Sequence, residues 1–172
     1  MNRIYLVGYM GAGKTSAAKR LASRLNWKVV DTDDLFEEKY RISVDDFFQK
    51  YDEPLYRKLE SEILKSTENL ENTVISTGGG TACYFDNMDW MNLHGLTVFM
   101  RISPAAAVDR VLHSHHKRPL ARGKSEKELT EYVNWHYASR MPFYEQARIT
   151  VKSENLDIEH LLQLIYEADK SM

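Results

Sequence analysis

A glycine-rich segment near the start of the chain has the composition of a phosphate-binding loop. Residues 8–15 read Gly-Tyr-Met-Gly-Ala-Gly-Lys-Thr and follow the apolar run Ile4–Val7. Glycines let backbone N–H groups close around phosphate oxygens, Lys14 can place its charge on β- and γ-phosphates, and Thr15 can offer a hydroxyl to Mg²⁺. The helix predicted over 16–25 directs its positive end at the same anion. The pattern therefore predicts a nucleotide-phosphate site rather than a chance glycine-rich turn.

Three carboxylates follow the next apolar segment, at Asp31, Asp33 and Asp34. Clustered carboxylates are unfavourable unless a cation or a hydroxyl donor lies among them. One aspartate is therefore expected near Mg²⁺, often through water. Another is expected to accept hydrogen bonds from a substrate alcohol and to take its proton during attack on a γ-phosphate. The alternative is that Asp33 and Asp34 only begin a helix over 35–39, where acidic side chains are favoured; beside a phosphate loop we favour the functional interpretation.

Two further segments carry groups that suit an anionic acceptor. Arg57 and Glu60 are three residues apart in a helix predicted to begin at Pro54, so they share a face. An isolated pair of this kind is more often a solvated ion pair, but Glu60 could instead orient the Arg57 guanidinium to clamp a carboxylate. Three glycines at 78–80 follow the strand predicted over 73–77. Three in succession favour the close approach of another molecule over a tight turn, which usually needs one or two.

Basic residues gather in the second half of the chain. The segment 113–124 lies between two predicted helices and is polar, basic and interrupted by Pro and Gly. It suits a lid that brings positive charge over a nucleotide and excludes water, the alternative being a solvated surface connection. Its histidines do not have the spacing of a metal site. Arg140 is predicted to end the helix over 126–140, where it could neutralise the helix end or reach an anionic substrate.

Length, composition and net charge limit the class of protein that this chain can be. The chain has 172 residues, 43% of them hydrophobic, and a formal net charge of −2, which fits one globular α/β domain and argues against a nucleic-acid binder. The single cysteine, Cys83, cannot form an intrachain disulfide and suits a reducing compartment. The apolar run before the glycine-rich loop is too short for a signal peptide, and no stretch approaches transmembrane length. We therefore expect a cytoplasmic protein without a membrane partner, with a monomer as the default.

Strands and helices are predicted to alternate along the chain. Strand patterns lie at 3–7, 27–31, 73–77, 96–100 and 149–151. Helix patterns lie at 16–25, 35–39, from 43, from 54, and at 104–112, 126–140 and 158–168. Alternation with this spacing indicates a parallel sheet with helices on both faces. Ligands of such sheets bind beyond the carboxyl ends of the strands, which is where the segments described above lie.

Together these motifs resemble the shikimate kinase family. The matching segments, in order and at the family's spacing, are G-Y-M-G-A-G-K-T-S at 8–16, D-T-D at 31–33, Y-R-K-L-E at 56–60, T-G-G-G at 77–80, R-P-L at 118–120 and R-M-P-F-Y at 140–144. The chain departs from the family's usual pattern in reading K-T-S for K-S-T and in carrying Ala121 where a second leucine is usual. The resemblance implies a three-layer P-loop kinase fold of the nucleoside-monophosphate-kinase-like type, with a central parallel sheet flanked by helices, in a single domain spanning 1–172.

The resemblance also implies roles on the nucleotide side. The phosphates of ATP would be held by Gly11, Ala12, Gly13, Lys14, Thr15 and Ser16. Thr15 would bind Mg²⁺ directly and Asp31 would support it through water. Arg110 would stack on adenine. Arg118, in a lid at about 112–125, would contact the transferring phosphate, so that Lys14 and Arg118 take part in catalysis.

On the acceptor side, the resemblance implies shikimate, bound by helices at about 32–64 and the loops around them. Asp33 would bind the ring hydroxyls and act as the base, or at least orient the attacking alcohol. Arg57 and Arg140 would hold the carboxylate. Backbone contacts would come from Gly78, Gly79 and Gly80. The implied activity is transfer of the γ-phosphoryl group of MgATP to the 3-hydroxyl of shikimate, a step of aromatic amino-acid biosynthesis.

Two alternatives remain open on the sequence alone. A gluconate kinase-like enzyme would share the phosphate loop but has less reason for the D-T-D segment, Arg57 and the glycine triplet. A non-catalytic nucleotide-binding module would bind ATP without phosphorylating an acceptor. The lid arginine and the acceptor-side residues argue against such a module.

Overall fold

A five-stranded sheet forms the centre of the computed structural model, which describes residues 2–113 and 123–170. The strands are β1 (Arg3–Val7), β2 (Lys28–Asp31), β3 (Thr73–Ser76), β4 (Leu96–Arg101) and β5 (Ile149–Lys152). They pair in parallel throughout, in the order β2-β3-β1-β4-β5. The parallel sheet expected from the alternating pattern is therefore confirmed.

Helices flank this sheet and connect its strands. Over the described ranges they are α1 (Lys14–Leu25), α2 (Thr32–Tyr40), α3 (Val44–Lys50), α4 (Glu53–Lys65), α5 (Asn87–His94), α6 (Pro104–Leu112), α7 (Glu126–Tyr144) and α8 (Ile158–Lys170). Short 3₁₀ turns lie at Ser66–Asn69 and Thr81–Cys83. Within those ranges, every helix is too short or too polar to cross a bilayer. The layered arrangement is the P-loop kinase fold of the nucleoside-monophosphate-kinase-like type, as predicted.

The register of the sheet brings the loops after β1, β2 and β3 to one edge. Leu6 of β1 lies opposite Ser76 of β3, and Ser76 lies opposite Asp31 of β2. The side chains of β1 from Ile4 to Val7 are fully buried, because a parallel strand with both faces covered reads as a continuous apolar run. The buried central strand β1 therefore ends at the glycine-rich loop, and the first aspartate, Asp31, ends β2 on the far side of β3.

A second, smaller apolar cluster holds α2, α3 and α4 together. It is formed by Phe36, Phe47, Tyr56 and Ile63. Each of the three helices begins at a side-chain cap, since the side chains of Asp31, Ser43 and Asp52 accept hydrogen bonds from backbone N–H groups of the first turn. Truncating an aromatic core side chain costs about 3–5 kcal/mol, so this cluster fixes the helices that carry Asp33 and Arg57.

The helix predicted over 126–140 is longer than expected and runs through Pro142 to Tyr144. Arg140 therefore lies inside α7 and does not end it, so that prediction was wrong. The extension is driven by packing, because the fully buried Tyr144 ring stacks on Phe99 of β4 at 5.2 Å between centroids. Tertiary contact thus outweighs the lost backbone donor of the proline.

The start of α1 and the presence of α5 also differ from the expectation. α1 begins at Lys14, two residues early, because Gly13 precedes it in the left-handed region at φ +77° and serves as its N-cap. The segment Asn87–His94, for which no helix was predicted, forms α5. These shifts leave the loops at the strand ends where the sequence places them.

Candidate active site

The glycine-rich loop wraps from the end of β1 into the first turn of α1. The Lys14 side chain, which is 8% exposed, donates hydrogen bonds from Nζ to the carbonyl oxygens of Gly8 at 2.7 Å and Tyr9 at 3.0 Å. Gly13, Thr15 and the following residue, Ser16, lie at the exposed N-terminal end of α1. A helix N-terminus with adjacent backbone N–H groups binds phosphate, so the loop has the local structure that the motif predicts.

Arg110 reaches the same loop from α6. Its Nη1 donates to the carbonyl oxygen of Gly11 at 2.6 Å, next to Ala12, whose backbone N–H is bonded to Tyr9 O at 3.2 Å. The guanidinium is therefore at the edge of the phosphate loop. Its stacking on adenine stays a prediction.

A group of oxygen atoms lies beside the loop at the ends of β2 and β3. Thr15 Oγ1 donates to Asp31 Oδ2 at 2.8 Å and lies 3.3 Å from the hydroxyl of Ser76. The other Asp31 oxygen caps α2 by accepting from the backbone N–H of Asp33 at 3.0 Å. Hydroxyl and carboxylate oxygens are the ligands that Mg²⁺ prefers, so the donor set fits this ion. Ser76 was not singled out from the sequence.

A cleft of about 1070 Å³ opens next to the loop and collects the predicted acceptor-side residues. Its walls include Asp33, Arg57, Arg140 and the three glycines, and Met10 of the phosphate loop also lines it. Among the aspartates, burial, together with the charges of Asp31 and Glu37, raises the pKa of Asp34. Asp33 lies in the first turn of α2, so the aspartate segment begins a helix, and Asp33 also lines the cleft. The roles expected for the aspartates at Mg²⁺ and at a substrate hydroxyl stay predictions.

Arg57 and Glu60 form a buried ion pair rather than a solvated one. Arg57 Nη1 donates to Glu60 Oε2 at 2.8 Å, and the two residues are 8% and 3% exposed. Glu60 is fixed by Thr81, whose hydroxyl donates to Oε1 at 2.6 Å. Burial alone would lower the pKa of Arg57, but the charge and hydrogen bond of Glu60, together with Tyr84 and Glu53, hold the pKa above its usual range. The guanidinium therefore stays charged and oriented in the cleft, and the solvated interpretation is wrong.

This ion pair also accounts for the glycine triplet. A Cβ atom on Gly80 would lie 2.5 Å from Arg57 Nη1, and one on Gly78 would lie 2.7 Å from Glu60 Oε1. Gly79 faces the phosphate loop, since a Cβ there would lie 3.2 Å from the Met10 backbone nitrogen. Small residues are thus required here by the chain's own side chains and loop, and the predicted close approach of another molecule stays a prediction. Backbone contacts to a substrate stay a prediction.

Arg140 enters the cleft from α7 and is 7% exposed. Its guanidinium carbon lies 5.9 Å from the centre of the Tyr9 ring. Tyr144, one turn further on, donates a hydrogen bond to the carbonyl oxygen of Gly79. Two buried guanidinium groups in one cleft strongly favour an anionic ligand.

Several cleft residues were missed by the sequence analysis. Glu53 and Tyr84 lie against Arg57, and Tyr132, Trp135 and His136 line the wall formed by α7. His136 Nδ1 and the Tyr9 hydroxyl are 2.9 Å apart, and burial, followed by the charge of Arg140, lowers the pKa of His136 to about 4. The sequence could have indicated that His136 lies in the cleft, because it precedes Arg140 by four residues and helical residues at that spacing share a face.

The predicted lid is only partly within the described residues. Arg118 lies outside them, as does most of the segment at 112–125. At its far end, Lys124 places its ammonium 5.4 Å from the centre of the Tyr132 ring. The role of Arg118 in catalysis stays a prediction.

The parallel sheet, the phosphate loop at the end of its central strand and the adjoining cleft define a P-loop kinase. A family model described as shikimate kinase matches residues 10–169, and the shikimate kinase of Phocaeicola vulgatus is 38% identical over 95% of this chain and 93% of its own. The chain therefore belongs to the shikimate kinase family.

Solved structures agree with this assignment. The shikimate kinase of Bacteroides thetaiotaomicron superposes with a TM-score of 0.90 at 37% identity, covering 98% of both chains. The shikimate kinase of Acinetobacter baumannii, solved in complex with shikimate, gives 0.85 at 27% identity, covering 98% of this chain and 94% of its own. The family resemblance seen in the motifs is confirmed.

Proposed function

We propose that the protein transfers the γ-phosphoryl group of MgATP to the 3-hydroxyl of shikimate, giving ADP and shikimate 3-phosphate. One observation carries the proposal beyond family membership. The cleft beside the phosphate loop contains two buried guanidinium groups and the carboxylate of Asp33, which are the groups needed to bind a small carboxylate with several hydroxyls.

The nucleotide side supplies positioning and positive charge. Backbone N–H groups of residues 11–16 and the Lys14 ammonium bind the β- and γ-phosphates, and Arg110 contacts the base. Thr15, and Asp31 through water, would hold Mg²⁺, which would supply positive charge to the phosphate oxygens. In phosphoryl transfer most of the catalysis comes from such positioning and charge stabilisation.

The acceptor side orients the alcohol. Arg57 and Arg140 bind the carboxylate, and Gly78, Gly79 and Gly80 offer backbone groups to the ring. Asp33 accepts a hydrogen bond from the reacting hydroxyl and takes its proton as the oxygen attacks the γ-phosphorus. The helices at about 32–64 form the acceptor-binding part of a single domain, because the Phe36 cluster joins them into one unit.

Arg118 and the lid at about 112–125 complete the site in this proposal. The arginine stabilises charge on the transferring group, and the lid excludes water that would otherwise hydrolyse ATP. The near-neutral net charge of −2 supports an enzyme without a nucleic-acid partner, and we place it in the cytoplasm as a monomer.

Release of ADP from MgATP by the purified protein tests the proposal. Shikimate, gluconate and nucleoside monophosphates would be supplied in turn. Stimulation by shikimate alone supports the assignment. Stimulation by gluconate would favour the related sugar-acid kinase, and ATP binding without stimulation by any acceptor would favour a nucleotide-binding module.

A further inference from the structure

The edge of Arg57 that could bind an acceptor carboxylate already has a carboxylate on it. Arg57 Nε and Nη2 both donate to Glu53 Oε1, each at 3.0 Å. The same oxygen accepts a third hydrogen bond, from the Tyr84 hydroxyl at 3.0 Å. Because Arg57 Nη1 is bound to Glu60, the Nε–Nη2 edge is the fork at which a bidentate carboxylate would have to enter.

The two glutamates on Arg57 differ in how tightly they are held. The Glu60 side chain is 3% exposed and is also bound by Thr81, so moving it would leave a buried charge without a partner. The Glu53 side chain is 50% exposed and lies at the rim of the cleft. It can rotate into water without desolvating either itself or Glu60, which makes it the displaceable counterion.

The Glu53 carboxylate is stabilised by the same two arginines, Arg57 and Arg140, that are proposed to bind the carboxylate of shikimate. Burial tends to raise the pKa of its carboxyl, but the hydrogen bonds from Arg57 and Tyr84 and the charges of Arg57 and Arg140 lower it below its usual range. Glu53 is therefore an anion at neutral pH. It interacts with both guanidinium groups to which the proposed function assigns the carboxylate of shikimate.

We propose that Glu53 occupies the acceptor-carboxylate position of the ligand-free enzyme and must leave it when shikimate binds, so that this side chain sets acceptor affinity. The inference rests on the proposed function, since it takes Arg57 as the carboxylate clamp. While Glu53 is bound to the Nε–Nη2 edge of Arg57, that edge cannot bind the acceptor carboxylate bidentately. The apparent dissociation constant of shikimate is therefore the intrinsic one divided by the fraction of molecules in which Glu53 has left this edge.

Glu53→Gln tests the sign of this effect. Glutamine keeps the shape and one acceptor oxygen but removes the charge, so the side chain leaves the Nε–Nη2 edge of Arg57 more readily. We expect the dissociation constant of shikimate, measured by calorimetry without nucleotide, to fall by about three- to tenfold. Glu62→Gln, on the exposed side of the same helix, is the matched control and should bind as the wild type does.

Tyr84→Phe gives an independent variant. It removes one of the three hydrogen bonds on Glu53 and leaves the fork of Arg57 untouched, so shikimate should again bind more tightly, by less than in Glu53→Gln. If Glu53 merely held Arg57 in place, both variants would bind shikimate more weakly. Unchanged or weaker binding in Glu53→Gln overturns the inference.

The methyl ester of shikimate separates competition from a general effect. The ester has no carboxylate to occupy the Nε–Nη2 edge of Arg57 bidentately, so its binding does not require Glu53 to leave, and the variant and wild-type values of kcat/KM for the ester should agree within about twofold. An equal gain for acid and ester would contradict the inference. Wild-type turnover of shikimate is measured first; without it the proposed function fails and this inference fails with it, whereas wild-type turnover with no tighter binding in Glu53→Gln rejects the inference alone.

Discussion

The nucleotide side and the acceptor side of the site are built in different ways. The phosphate loop is one continuous segment, residues 8–16, whose proposed binding groups are mostly backbone N–H groups shaped by glycines. The acceptor cleft is assembled from α2, α4, the loop after β3 and α7, and its proposed binding groups include the buried side chains of Arg57 and Arg140. Backbone groups are supplied by the chain conformation itself, whereas each buried charge depends on a partner from elsewhere in the sequence.

The difference has consequences for mutation. A change in the phosphate loop should remove transition-state stabilisation and leave the fold largely intact. A change in the acceptor cleft should alter both ligand binding and stability, because removing one partner of a buried ion pair leaves the other uncompensated. Four predictions follow this division, in order of decreasing effect.

The largest effect is expected at Lys14. Lys14→Ala removes the charge assigned to the β- and γ-phosphates, and we expect kcat for shikimate phosphorylation to fall by at least about 10³-fold. Thermal unfolding should change much less than turnover, since the Lys14 ammonium donates to carbonyl oxygens of the loop itself, those of Gly8 and Tyr9. Lys19→Ala, exposed on the same helix, is the control. A stable variant with substantial turnover would contradict the assignment.

Asp33→Asn tests whether turnover can be lost while nucleotide binding is kept. The amide keeps the size of the side chain but cannot accept the proton, so turnover should fall by about 10²- to 10⁴-fold. ATP affinity, measured by calorimetry, should stay within experimental error of the wild type because Asp33 faces the acceptor cleft. Near-normal turnover would remove Asp33 from the role of base.

Arg57→Ala should weaken both shikimate binding and the stability of the fold. Shikimate binding should weaken by about 2–5 kcal/mol, and the free energy of unfolding should fall by about 3–5 kcal/mol because Glu60 loses its buried counterion. Adding Glu60→Gln should restore much of the stability without restoring shikimate binding. Calorimetry and chemical denaturation measure the two effects separately. Equal stability of the single and double variants would contradict the buried-pair account.

The smallest effect is expected from His136, which joins the two sides through Tyr9. Its pKa is about 4 in the folded protein and about 6.5 in the unfolded chain, so the unfolded state binds more protons between these values. Stability should therefore decrease as the pH falls from about 6.5 to about 4, by about 1 kcal/mol after allowance for solvent at a half-buried ring. Denaturation curves of the wild type and His136→Gln should diverge in this window, and parallel curves would contradict the account.

The same division explains what the sequence could predict. The glycine-rich loop and the aspartate segment could be located from the sequence because their signals are local and follow predicted strands. The burial of Arg57 and Glu60 was not predicted, because the sequence spacing of an ion pair is the same whether its helix face is exposed to solvent or buried. The contacts of Glu53 and Tyr84 depend on tertiary structure that no local pattern encodes.

The fold was predictable to a similar degree. The strands were located because buried parallel strands are apolar runs, but α5 was missed because only Met88 and Met91 form its buried apolar face. Its Leu93 is 81% exposed, while Asn87 is fully buried and bonds to Ser61 at 2.6 Å and to the carbonyl oxygen of Thr81 at 2.8 Å. A polar core residue satisfied by hydrogen bonds cannot be recognised from hydrophobic periodicity.

The central claim is that the two sides together phosphorylate shikimate at one hydroxyl, and ³¹P NMR of the reaction mixture tests it most directly. The account predicts one new phosphate monoester, on the 3-oxygen of shikimate, formed in step with ADP. ADP accompanied only by inorganic phosphate, or a phosphate ester at another position, would contradict it.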